Sequence, residues 1–178
     1  MGVVIDIISA IIKLVVSNKV ENKFISQIIG ILADDILKEE AEAISDFINS
    51  ESNKMNKVLS EEHLRNMYIP KDHIPYVINE MKLLLSKIEL TDELWDMNKY
   101  DAKNLEKYLW ERYYDSKNDS LEYEEDIKKA ISDIAGTLID IKCNSKDFER
   151  DILIKLYDSV GNQNEKLKKM EDSINDIE

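Results

Sequence analysis

The chain has 178 residues, a length that suits one domain with a sizeable core. Hydrophobic residues at 43% and charged residues at 34% allow it to fold, while four glycines and two prolines are too few for the turns of an all-β protein. A formal net charge of -13 repels a phosphate backbone, and no Lys/Arg stripe with interleaved aromatics offsets it, so nucleic acid is excluded as a partner.

Residues 3–16 are the most apolar stretch. Ile5, Ile8, Ile12 and Val15 recur at helical spacing, and Ile7, Ile11 and Leu14 widen the stripe, which predicts a largely buried first helix. Asp6, Ser9 and Lys13 interrupt the run and it is short of a bilayer span, so it is not read as transmembrane. Asp6 also stands where a myristoylation signal needs Ser or Thr. A second stripe follows at Phe24, Ile25, Ile28, Ile29 and Leu32, with Gly30 able to kink or end it. From Ala33 the pattern runs through Ile36, Leu37, Ile44, Phe47 and Ile48 to Met55, Val58 and Leu59, a long helix that thins toward its end.

Ser60 before Glu61 and Glu62 reads as an N-cap with first-turn acids, giving a short helix over 63–69 that Pro70 stops. Asp72 is expected to cap the next helix, with Pro75 in its first turn and Ile74, Val77, Ile78, Met81, Leu84, Leu85 and Ile88 on its apolar face. Thr91 and Asp101 are expected to cap two further helices, and residues 115–120 form the most polar loop. Ile127, Ile131, Ile134, Leu138 and Ile141 then define a central core helix in which Ala130 and Ala135 permit close approach. Asn144 or Ser145 is expected to cap a last segment whose register runs Leu153, Leu156, Val160, Gln163, Leu167, Met170, Ile174, Ile177. The expected fold is therefore all-α. A helical bundle spans 1–160 and a stalk-like helix 161–178, with Gly161 and Asn162 marking the division.

Residues able to carry chemistry are few. His63 and His73 belong to no motif that places two ligands on one helical face, and Cys143 reads as a small packing residue. A single cysteine forms no intramolecular disulfide, and no secretory signal opens the chain, so the cytoplasm is the expected compartment. No phosphate-binding loop is present. Glu39 with Glu42, and Glu93 with Asp96, echo the acidic pairs by which some all-α pyrophosphatases hold magnesium; in so acidic a chain the spacing reads first as a solvated helix face. No catalytic residue, metal or cofactor is expected.

Trp95, Tyr100, Tyr108, Trp110, Tyr113 and Tyr114 concentrate the large aromatics in one short segment. Most should pack a core corner. Trp110, Tyr113 and Tyr114 cannot all point inward on one helix, so part of this trio is expected at an interaction surface. The second expected contact is the narrow stripe Leu167, Met170, Ile174 and Ile177, suited to a helical partner. Lys166, Lys168 and Lys169 flank its first half and Glu171, Asp172, Asp176 and Glu178 its second, so a weak homo-oligomer through it should be antiparallel.

Three features in order resemble the N-terminal helical domains that precede the NTPase in bacterial NACHT and related STAND proteins, which act in anti-phage defence. They are the apolar opening ISAIIKLVV over residues 8–16, the middle stretch in which residues 74–88 are followed by Thr91-Asp-Glu-Leu and by residues 105–109, and the helix over residues 148–156. The resemblance carries over no functional residue. It implies an adaptor or effector-coupling domain at the start of a longer polypeptide whose remainder supplies ATP hydrolysis and sensing, and whose partners are proteins: itself, an effector or the NTPase module. Two other readings stand beside it: a membrane-active effector that releases its first helix, and an all-α magnesium-dependent nucleotide pyrophosphohydrolase.

Overall fold

The computed structural model describes residues 7–17, 38–118 and 120–175, and among them it is all-helical with no strand. The second predicted stripe, at residues 24–32, lies outside the described residues. In chain order the helices are α1 (Ile7–Ser17), α2 (Lys38–Val58), α3 (Glu61–Asn66), α4 (Ile74–Lys87), α5 (Asp92–Asn98), α6 (Ala102–Lys117) and α7 (Glu124–Asn175).

The helices form where the apolar spacing predicts, and their ends follow local chemistry. Ser60 Oγ accepts from the His63 amide, Thr91 Oγ1 from the Leu94 amide, and Asp101 Oδ1 from the Lys103 and Asn104 amides. Asp72 does not cap α4. The N-cap is His73, which makes no side-chain capping bond. With Pro75 in the first turn one amide is already missing, and the imidazole turns instead toward α7. Helix α6 also runs further than expected, to Lys117. It ends on Asn118 in the left-handed conformation that Asn tolerates, so the polar linker starts at Asn118 rather than at residue 115.

Helix α7 is the spine of the bundle. Its 52 residues, roughly 78 Å of helix, pass without a break through Asn144, Ser145 and Gly161. Neither Asn144 nor Ser145 is a cap: Ser145 is buried mid-helix, and the Asn144 amide reaches Glu51 on α2. Ile127, Ile131, Ile134, Leu138 and Ile141 are all buried, and α1, α2, α4 and α6 pack on this helix. Helix α1 is wrapped by α2, α4 and α7 and buries Ile7, Ile8, Ile11, Ile12 and Val15, as its apolar width predicts. Lys54 on α2 bridges Glu51 and Asp140, tying α2 to α7. Burial alone would lower the Lys54 pKa, but the hydrogen bonds and charges of these two carboxylates outweigh it and raise it.

Candidate interaction surface

The aromatic segment splits between core and surface. Trp95 on α5 is fully buried and stacks with Tyr100, while Lys142 and Lys146 of α7 lie over the two rings. On α6 the four-residue steps Leu105, Leu109, Tyr113 form the inward stripe. Tyr113 is thus 2% exposed, and its expected place on the surface is corrected: the register that buries Leu109 also buries the residue four positions on. Trp110 is half-buried with Lys128 over its ring, and Tyr114 beside it is exposed. The surface part of the trio is Tyr114 and the open side of Trp110.

Tyr113 sits beside an ion pair. Glu80 and Lys117, both largely removed from solvent, meet at 2.5 Å between α4 and α6, and the ammonium also lies over the Tyr76 and Tyr113 rings. Burial by itself lowers the Lys117 pKa, but the hydrogen bond and charge of Glu80 more than offset this and raise it. The Tyr113 hydroxyl is buried and interacts with the Tyr76 hydroxyl beside it. Burial first, then Tyr76 and the Glu80 charge, push the Tyr113 pKa far above the ordinary phenol range.

The C-terminal seam lies on the projecting half of α7. Among the described side chains Ile152 is the last buried one of the helix, and every later one is exposed, among them Leu153, Ile154 and Met170. Met170 is 62% exposed. The side chains of Leu167 and Ile174, and the whole of Ile177, lie outside the described residues. Nearer the bundle, Leu153 and Ile154 line a shallow groove with Lys146 and Arg150.

Several features escaped the sequence reading. His63 Nε2 and His73 Nδ1 each lie 2.6 Å from an aspartate of α7, Asp133 and Asp126, which stand two turns apart on one face of that helix. His73 also stacks on Tyr123, so these pairs clamp the α3–α4 connection onto the spine. Tyr68, in that connection, is 88% exposed in a left-handed conformation. Only the two ends of the histidine pairs could have hinted at this, since each partner is far away in sequence. Cys143 is exposed rather than packed, because the unbroken α7 turns Ile141 and Ser145 inward and position 143 outward. Of the acidic pairs, Glu42, Glu93 and Asp96 are solvated and the Glu39 side chain is outside the described set. Among the described residues no group of three or more His, Cys, Asp or Glu is arranged to hold a metal ion, and no helix is long and apolar enough to cross a membrane.

Comparison with protein-family models, with curated proteins and with solved structures returns no match for this chain.

Proposed function

We propose that this chain is a non-catalytic helical interaction module that pairs through the distal half of α7, in the adaptor or effector-coupling setting that the NACHT and STAND resemblance implies. One observation carries the reading. Helix α7 continues past Ile152, the last of its described side chains to be buried, to Asn175, roughly 35 Å of helix with Leu153, Ile154 and Met170 in solvent. A helix extended this far beyond its core, with apolar positions along it, is suited to lie against another helix.

The occupant is a second copy of the chain, placed antiparallel. Lys168 and Lys169 then meet Glu171 and Asp172 of the other copy, whereas a parallel pair sets like charge beside like. The net charge of -13 opposes close approach of two copies and makes the pairing weak, with half-association at about 0.1 to 1 mM.

Light scattering of the full chain across that range should show a rising mass, and Met170→Lys should abolish the rise without altering the helical content. Zero-length cross-linking of mixed, isotopically distinct copies should join Lys168 or Lys169 to Glu171 or Asp172 between copies. A monomer at every concentration up to about 1 mM would overturn the self-pairing. Magnesium-dependent nucleotide hydrolysis would overturn the non-catalytic reading, and liposome leakage would favour the membrane-active one; the burial of Ile7, Ile8, Ile11 and Ile12 in the resting bundle supports neither.

A further inference from the structure

The connection between α3 and α4 holds one aromatic ring almost wholly in water. Tyr68 is 88% exposed at a φ of 64°, a left-handed conformation that disfavours any residue with a Cβ and that glycine enters freely. It stands just after the cap of α3, where glycine is the usual choice: the Tyr68 amide donates to the Arg65 carbonyl at 2.9 Å and the Ile69 amide to the Leu64 carbonyl at 3.2 Å. Tyr100 and Tyr123 also have positive φ, but their rings stack, Tyr100 with Trp95 and Tyr123 with His73. Among the described residues the Tyr68 ring stacks on nothing and its hydroxyl makes no hydrogen bond, so no ring contact within the chain offsets its strain.

The strained turn is also held rigid. Leu64 and Ile69 on either side of it are buried, and His63 and His73 tie the two ends of the connection to Asp133 and Asp126 of α7. A partner therefore meets the ring already in place, and little free energy is lost in ordering it on binding.

This turn reverses the sign of the chain's charge. Arg65 and Lys71, three positions to either side of Tyr68, are exposed, and the exposed Lys129 of α7 donates to the Met67 carbonyl at 3.5 Å. Among the described residues none of the three pairs with a carboxylate, and Asp72 is the one acid between residues 63 and 72. Tyr and Arg are the residue types that most often carry the binding energy of a protein interface. A net charge of -13 repels extended anionic surfaces such as membranes and nucleic acids, but screening over about 8 to 10 Å leaves a short segment to feel mainly the patch it touches.

We propose that the patch of Arg65, Tyr68, Lys71 and Lys129 docks an acidic segment of another protein, with apolar side chains of that segment on the Tyr68 ring and its carboxylates on the three cations. The assignment does not rest on pairing through the distal half of α7, because none of these residues lies beyond Ile152.

The probes are peptides selected from a random phage-displayed library on the immobilised full chain, then synthesised for fluorescence anisotropy. They should be rich in Asp and Glu beside apolar residues and bind saturably. Tyr68→Gly should weaken them about tenfold or more while raising Tm, since glycine relieves the left-handed strain, so that lost binding is separated from lost folding. Arg65→Glu and Lys71→Glu should each weaken binding about threefold or more, whereas Lys103→Glu, an equal change of charge at an exposed position of α6, should leave it unchanged. Selected peptides without acidic enrichment, no saturable binder up to about 1 mM, or equal binding by Tyr68→Gly would overturn the assignment. A lower Tm for Tyr68→Gly would overturn it too, as would Tyr68-dependent binding of phosphatidylserine vesicles or single-stranded DNA.

Discussion

Truncating α1 measures how far the bundle depends on its opening helix. Ile8 and Ile12 lie one turn apart and are 2% and 5% exposed, against α2, α4 and α7. Replacing either by Ala deletes three carbons at about 0.8 kcal/mol each, or about 2.4 kcal/mol of lost transfer energy. The cavity left behind adds to this wherever the neighbours do not collapse, which places each substitution at about 2 to 5 kcal/mol. The two side chains line the same interface, so the double variant should depart from the sum by about 0.5 kcal/mol or more. Against a total stability of about 5 to 15 kcal/mol, the double variant would be marginal or unfolded. Urea denaturation followed by fluorescence reads the change directly, since Trp95 is in the core and Trp110 is half-buried. A cost below about 0.5 kcal/mol for each single change would refute the packing argument and turn attention to a released, membrane-seeking helix.

Two further outcomes follow from α7 and from the α4–α6 contact. Gly136 lies on the exposed face of α7 with open space where a Cβ would stand, so Gly136→Ala should raise stability by about 0.5 to 1 kcal/mol in the same denaturation assay. Lys117 and Tyr113, whose ordinary values are 10.5 and 10.0 and whose folded values are both raised, contribute to the alkaline limit together with Lys54 and Tyr76, which are raised as well. Above about pH 10 the folded chain holds protons that the unfolded chain releases, so stability is complete below that pH and falls as pH rises further. Tm measured from pH 8 to 11 should decline above pH 10, and Tyr113→Phe should soften the decline; a flat profile would contradict the raised values.

The fold class was legible because helix formation here rests on short-range signals. The steps of three and four from Ile8 to Val15 and from Ile127 to Ile141 determine which faces are apolar, and Thr91 and Asp101 cap their helices through amides two or three residues away. Where a local signal was read in isolation it misled. Asp72, Asn144 and Ser145 are good capping residues by type, yet tertiary packing carries α7 through the latter two, and the fixed ring of Pro75 removes an amide that a cap at the start of α4 would serve. Gly161 likewise costs too little in a long helix to force a break.

The sequence by itself thus determined the helices, the burial of α1 and the apolar stripe of α7, since each is a periodicity of neighbouring residues along one chain. Only the tertiary structure decided which polar groups meet. Glu80 with Lys117, His73 with Asp126 and His63 with Asp133 are separated by 37, 53 and 70 positions, and nothing in their spacing announces a partner. Whether Tyr113 faces solvent or core was equally open until α6 was seen against α4, because a helix carrying aromatics on several faces leaves it to its neighbours to choose the buried one.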